Sequence, residues 1–315
     1  MRVRAMVRAT SEVAHLEQLG VEICHADLSD IPGMQRACAG VDLVVHCAAA
    51  VGSFGEWDHF HEVGVLGTGR LIDAAEQAGV RRLVHVSSIA VYGLREHTGA
   101  LDEDTAFDAR PQAWNHYVRE KVMSEQRVWQ AHEAKRIAVT CIRPSVVIGA
   151  RDRNAVPRLA DLLRLPIVAL PGGPDLHFPV VTIDDCVDLI VRAVQSDRAI
   201  GRAYNVSGEQ RIRVADVFGF VAKHAKLAPP RLYLPTALLL PMVGALEAIW
   251  KLLRRPGEPV ATRIAIVVSG YDYAIDCTRA QRELGWRAQG DYEAAIADAL
   301  AEPSTVALRV VKPAA

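Results

Sequence analysis

The feature that most restricts what this chain can become is a repeated change of period. Short apolar runs recur through the first two-thirds, and each is followed by a stretch in which apolar residues return every three or four positions. An apolar run bounded by turn residues is a strand buried on both faces, and the longer period is that of an amphipathic helix. Regular alternation of the two builds a parallel sheet covered by helices, because every crossover must travel back along the sheet before the next strand begins. The sequence therefore predicts an α/β, doubly wound parallel sheet. Strands are expected at residues 3–7, 21–25, 43–46, 82–87, 138–143 and 203–206, and helices near 11–19, 32–39, 57–78, 111–132 and 183–195. Asp27-Leu28-Ser29-Asp30 and Thr182-Ile183-Asp184-Asp185 supply capping side chains at two strand-to-helix junctions. After Val206 the pattern changes to proline-bearing apolar segments, then 271–276 and an amphipathic helix over 292–301, read as a smaller C-terminal lobe. The expected division is 1–150, with 178–207 returning to it, against 151–315, whose last residues from 303 onward lack any period and read as a loose tail.

Composition narrows the partners. With 36 basic against 37 acidic residues the net charge is −1, so the chain as a whole has no electrostatic footprint for nucleic acid or an anionic membrane. A small molecule or a second copy of the chain is the expected partner. Six cysteines lie scattered without C-x-x-C spacing, and Cys24, Cys47 and Cys141 fall inside strand-like runs, which suits thiols in a reducing cytoplasm. His46, His59, His61 and His116 have no metal-ligand spacing, so no metal is expected. Arginines interleave with apolar residues from Arg2 to Arg8, unlike a signal peptide, and the expected location is cytoplasmic. Residues 232–253 are leucine-rich but contain Pro235, Pro241, Glu247 and Lys251; a helix pair covering a ligand is expected there, not a membrane span.

The residues with chemical promise are Tyr117 and Lys121. Four positions apart on a helix, they share one face. A free phenol ionises near pH ~10, and a neighbouring cation stabilises its anion, which is what a phenol needs to exchange protons at neutral pH. Ser88 ends the apolar strand Val84-His85-Val86-Ser87, and ligands of open parallel sheets bind at the carboxyl ends of strands. Ser88 is thus expected to face the same crevice as Tyr117. The residues alone also permit a plainer reading, in which Tyr117 and Lys121 are an exposed helix pair and Ser88 only caps a helix.

Several further runs stand in order along nearly the whole chain: Ala26-Asp27-Leu28, Val44-Val45-His46-Cys47-Ala48-Ala49, Ser87-Ser88-Ile89-Ala90-Val91-Tyr92-Gly93, Tyr117 to Lys121, Ile142-Arg143-Pro144-Ser145, Tyr204-Asn205-Val206 and Glu283-Leu284-Gly285-Trp286. Together they resemble the extended short-chain dehydrogenase/reductases of the epimerase/dehydratase superfamily, with a Rossmann-like fold. The resemblance implies that Ser88, Tyr117 and Lys121 are catalytic and that Tyr117 and Lys121 also touch a nicotinamide cofactor. It implies that Asp27, with Leu28 beside it, meets the adenine, that Ala48 and Ala49 let the cofactor lie against the backbone, and that Pro144 and Val147 border the nicotinamide. For Ala48 and Ala49 the alternative is ordinary small core residues. Arg8 stands where NAD users often carry an acid for the ribose hydroxyl; a cation there suits a 2′-phosphate, so NADP is expected ahead of NAD, a solvated arginine being the alternative. Ala50-Val51-Gly52 with Trp57, Leu246-Glu247-Ala248-Ile249-Trp250, and the run from Leu253 to Pro259 resemble the 3β-hydroxysteroid dehydrogenase/isomerase branch. Bacterial members of that branch reduce long-chain 2-alkyl-3-oxoalkanoates, so a bulky apolar alcohol or ketone is the implied substrate, with 232–253 as its apolar wall. A nucleotide-sugar epimerase or dehydratase, and a cofactor-deficient binding module, are the other readings. Pairing of 57–78 and 111–132 across a two-fold axis would make a homodimer.

Two departures stand out. The family opens with a strand and a glycine-rich turn that seats a pyrophosphate on a helix N-terminus; here the first run corresponds to the second strand, so two strand edges are expected to lack a partner, and a gene start placed too far downstream is the suspected reason. Gly64-Val65-Leu66-Gly67-Thr68-Gly69 looks similar to the missing turn but follows no strand. Gly64 itself stands where relatives commonly carry Asn.

Overall fold

The computed structural model describes residues 2–50, 52 and 54–301. The tail expected from residue 303 and Val51 of the branch-like run lie outside them. Four of the expected strands form one parallel sheet: β3 (Leu43–His46), β4 (Arg82–Val86), β5 (Ala138–Pro144) and β6 (Arg202–Val206), in the spatial order β6-β5-β4-β3. The other two, β1 (Arg4–Val7) and β2 (Glu22–His25), pair in parallel with each other alone. Among the described residues, then, no ladder crosses from β1 to β3. This is the pair of open edges expected from the sequence.

Alternation along the strands divides the core between the two faces of the sheet. Leu83 packs with Met34 and Cys38 of α1 (Ile31–Cys38), Leu71 of α2 (Gly67–Gln77) and Val128 of α3 (His116–Glu133). Its neighbour Val84 packs on the opposite side, with Cys186 and Leu189 of α4 (Ile183–Gln195) and with Trp286. The expected caps are in place: Asp30 accepts from Gly33 N at 2.9 Å and Thr182 Oγ1 from Asp185 N at 3.2 Å. Two helices differ from expectation. The helix expected over 57–78 is interrupted by a π-helical turn, His61–Leu66, that follows Trp57–Phe60. The one expected from 111 starts at His116, because the Asn115 side chain accepts from Val118 N at 3.2 Å and ends the preceding loop.

The C-terminal part has its own core around Ile148, Leu170, Phe178, Phe218 and Ile296. Residues 232–253 depart from the expected helix pair, forming the short strand Leu232–Leu234 and the single 17-residue helix α5 (Thr236–Leu252), in which Pro241 lies inside the second turn and cannot donate to Ala237 O. No helix among the described residues is long and apolar enough to cross a membrane. α5 packs on α6 (Arg263–Gly270) through Leu239, Val243 and Ile266. Trp286 fastens this part to the sheet domain: its indole donates to Asp185 O at 3.0 Å, while Asp185 accepts from Gln289 N and Gly290 N, each at 2.9 Å.

Candidate active site

Ser88 follows β4 and caps a short 3-10 turn, Ile89–Tyr92, accepting from Ala90 N at 3.1 Å. Gly93 closes that turn at φ +89°, a conformation glycine adopts without strain, and a Cβ there would press on the Asp108 carboxylate at 2.6 Å. The turn packs against the first turns of α3, where Tyr117 is half-buried among Ile89, Val91 and Val118. Lys121, one turn further, is buried, with its ammonium 5.6 Å from the centre of the Tyr117 ring. Pro144 ends β5 and Val147 lies in the next short strand, Val146–Ile148. The three residues expected to do chemistry thus occupy one region at the carboxyl ends of neighbouring strands.

Most of the remaining sites also follow the carboxyl ends of strands, in both sheets. Arg8 and Asp27 follow the paired ends of β1 and β2, both exposed, and the Asp27 carboxyl is held below its ordinary pKa, with Arg8 the smallest contributor. The main cause of that lowering is Ser29, whose hydroxyl and N–H donate to Asp27 Oδ1 at 2.5 and 2.7 Å. Ala48 and Ala49 follow β3 and are exposed and half-exposed, not core residues. Leu28 turns inward: it is buried, and Gly67 approaches it so closely that a Cβ would lie 2.8 Å from Leu28 Cβ. Its carbonyl accepts from Arg70 Nη1 at 3.4 Å. The Gly64–Gly69 run lies inside the π-turn and α2, so it forms no phosphate loop. Among the described residues there is no group of His, Cys, Asp and Glu able to hold a metal ion. Cys38, Cys141 and Cys186 are buried free thiols as expected, whereas Cys47 is exposed at the end of β3.

A nicotinamide ring would fit the Ser88–Tyr117–Lys121 end. The Oγ atoms of Ser87 and Ser145, beside Ser88 and Pro144, are buried without a hydrogen-bond partner, which is where a bound polar group would be expected to supply one. The small Ala48 and Ala49 leave room at the adjoining strand end. A cavity of about 380 Å³ lies elsewhere, between residues 177–180, 207–211 and 273–278, and no expected site residue lines it.

The structure adds a polar layer beneath Lys121 that sequence reading missed. Glu120 is buried, and its Oε2 lies 3.5 Å from Lys121 Nζ with no hydrogen-bond partner. Its carboxylate occupies the space a Cβ of residue 64 would take. Burial raises the Glu120 carboxyl above its ordinary range, and Lys121 opposes that rise. Behind it, Thr68 Oγ1 donates to Gly64 O at 2.6 Å and lies 3.0 Å from His46 Nε2. The His46 ring centre stands 5.2 Å from that of His85, whose two nitrogens are both buried without partners. Burial, then Lys121, pushes His85 down to about 3, and burial lowers His46 well below its usual value. The signal available in the sequence was the pairing of Gly64 with a bulky acid just before Lys121.

A second buried network holds the strand ends in place. Arg143 donates through Nε and Nη2 to Glu125 Oε1 at 3.0 and 2.7 Å, and through Nη1 to Tyr92 OH at 2.8 Å and Glu103 O at 3.1 Å. Tyr92 OH donates to Asn205 Oδ1 at 2.7 Å, and Asn205 donates to Leu101 O and Asp276 O at 3.0 and 3.1 Å. These bonds tie β5, β6, α3 and the turn after Ser88 into one unit.

Comparison with known proteins agrees with this geometry. The family model described as "NAD dependent epimerase/dehydratase family" matches residues 1–207. The 2-alkyl-3-oxoalkanoate reductase of Stenotrophomonas maltophilia (strain K279a) is 30% identical over 262 residues, covering 80% of this chain and 78% of that protein. The sterol demethylase protein B of Methylococcus capsulatus (strain ATCC 33009 / NCIMB 11132 / Bath) is 29% identical over 309 residues, covering 95% and 90%. The UDP-glucuronic acid 4-epimerase of Bacillus cereus, solved in complex with NAD, shares the fold with TM-score 0.71 at 18% identity, over 94% of this chain and 88% of that one. A parallel sheet open at its carboxyl edge, a Ser-Tyr-Lys set gathered there and a match over residues 1–207 together place this chain in the NAD dependent epimerase/dehydratase family, as an extended short-chain dehydrogenase/reductase.

Proposed function

We propose that the protein is an NAD(P)-dependent oxidoreductase that interconverts a secondary alcohol and a ketone on a bulky apolar substrate of the 2-alkyl-3-oxoalkanoate or 3β-hydroxysteroid type. The observation that carries the reading is the placement of Tyr117 and Lys121 on one face of α3, beside the turn capped by Ser88. The cofactor, when bound, gives or takes the hydride. Tyr117 gives the proton to the carbonyl oxygen during reduction and takes it from the hydroxyl during oxidation, Ser88 hydrogen-bonds that oxygen, and Lys121 holds a positive charge beside the phenol. The printed activities of the reductase and sterol relatives support an apolar substrate. Support from an apolar wall at 232–253 is weaker than the sequence suggested, because much of that segment's apolar surface is exposed. Arg8, exposed at the end of β1, supports NADP ahead of NAD. Residues 1–150 and 178–207 would hold the cofactor, the remainder would shape the substrate site, and α2 with α3 would form a dimer face.

The test is to follow NADPH and NADH absorbance with a long-chain 2-alkyl-3-oxoalkanoate and with a 3-oxosteroid. Turnover of either ketone is expected for the wild-type chain, with a loss of at least about a thousandfold in Tyr117→Phe. Unchanged turnover by Tyr117→Phe would remove the proposed chemistry.

A further inference from the structure

The largest unexplained feature outside the site is the outer face of α5. Leu238, Met242, Leu246, Ile249, Leu252 and Leu253 are between 39% and 82% exposed, and they recur at helical spacing along one side. The other exposed positions between residues 237 and 250 are Ala or Pro, so this side carries no polar side chain until Lys251. Scattered apolar residues are ordinary on a protein surface, whereas a continuous stripe of them calls for an occupant. At about 1.5 Å per residue, the 17-residue helix offers a strip about 25 Å long.

We infer that this face docks on the surface of an anionic lipid bilayer, with α5 lying in the plane of the interface. Three observations select that occupant. The apolar strip ends at Arg254 and Arg255, both exposed and without an ion-pair partner among the described residues, which places two cations at headgroup level beside the strip. Trp250, half-buried at the same end, donates its indole N–H to Gly257 O at 3.2 Å and presents a ring suited to the water–lipid boundary. The acid of the helix faces inward: Glu247 is buried and accepts from Arg263 N at 2.7 Å and Arg263 Nε at 2.6 Å. A second copy of the chain laid on this face would bring two more arginines, while the acids beside the helix, Glu247 and Glu56, already hold Arg263 and Lys251; phosphate headgroups supply the missing charge.

Docking in this way places the membrane next to the catalytic helix. Arg263, held by Glu247, sits with its guanidinium 4.5 Å above the Trp114 ring, three residues before Tyr117. Lys251 reaches Glu56 at 3.0 Å and so ties the far end of α5 to the segment leading into Trp57. An apolar molecule leaving the bilayer would therefore meet the protein beside the proposed site. The docking surface itself stands independently of the proposed reaction.

The test is flotation of the full chain with vesicles of phosphatidylcholine alone and of phosphatidylcholine mixed with phosphatidylglycerol. The wild-type chain is expected to float with the mixed vesicles, less so at high salt. Leu246→Glu/Ile249→Glu should lower the bound fraction at least about tenfold, since two half-exposed apolar side chains are lost from the contact. Arg254→Glu/Arg255→Glu should weaken binding to mixed vesicles several-fold. Unchanged melting temperatures would show that both variants fold. Failure of the wild-type chain to float with either vesicle overturns the inference. So does a concentration-dependent dimer in sedimentation that Leu246→Glu/Ile249→Glu abolishes, which would assign the face to a second copy.

Discussion

Replacing Glu125 with alanine leaves the Arg143 guanidinium buried without its counter-charge, and the structure allows the cost to be estimated. Both side chains are almost fully withdrawn from solvent, at 4% and 0% exposure, and three donor–acceptor contacts between them run from 2.7 to 3.2 Å. The substitution also removes the acceptor of the Trp129 indole, which donates to Glu125 Oε1 at 3.0 Å. Breaking one side of such a pair typically costs about 3–5 kcal/mol, because a charge is left unpaired in a low dielectric. In a chain of this size that corresponds to a melting temperature lower by roughly 10 °C. Urea unfolding followed by circular dichroism gives the free energy directly. The double variant Glu125→Leu/Arg143→Met is expected to recover most of the loss, since removing both charges also removes the penalty of burying them. A Glu125→Ala variant within about 1 kcal/mol of wild type would refute the reasoning, as it would mean that solvent reaches the buried guanidinium.

Three further outcomes are expected. Gly64→Ala would drive a methyl group into the Glu120 carboxylate and should destabilise the fold by about 1–3 kcal/mol, with Glu120→Ala in the same background restoring most of it; thermal melts decide. His85 stays neutral in the fold down to about 3, whereas in the unfolded chain it takes a proton near 6.5, so its contribution is complete above 6.5 and drains away as the pH falls between those values. Wild-type stability should therefore drop more steeply below pH 6.5 than that of His85→Leu, by about 1.4 kcal/mol per pH unit, in urea titrations at a series of pH values. Arg8→Glu should raise the KM for NADPH about tenfold and leave that for NADH less affected, in initial-rate assays.

Much of the architecture could be read from the sequence because the sheet is written in short, strongly apolar runs. All six strands begin and end within a residue of expectation, and α4 matches residue for residue. Helix starts were less legible: Asn115 outcompetes the helix for Val118 N, which a periodicity reading does not see. Ser88, Tyr117 and Lys121 were legible because their spacing is local and their setting is a strand end. Glu120 and His85 were not, since the importance of Glu120 depends on the empty Cβ position of Gly64 in another helix, and His85 reads as one more strand residue until its neighbours are known. The 232–253 segment shows the same limit. A helix that is apolar on most sides does not reveal which of them the tertiary structure will bury.

Because no ladder among the described residues joins β1 to β3, the strip formed by β1, β2 and α1 adheres to the rest through side chains. Leu28, Met34 and Cys38 meet Leu71 and Ala75, while Arg4 Nη1 fastens the strip to its own helix, donating to Ala37 O at 2.9 Å and Ala39 O at 2.8 Å. On this basis the strip is expected to open as a separate cooperative unit while the four-stranded sheet stays intact. Its amides should exchange with deuterium ahead of those of β4 and β5, and any ligand that bridges the two sheets would slow that exchange without touching the amides themselves.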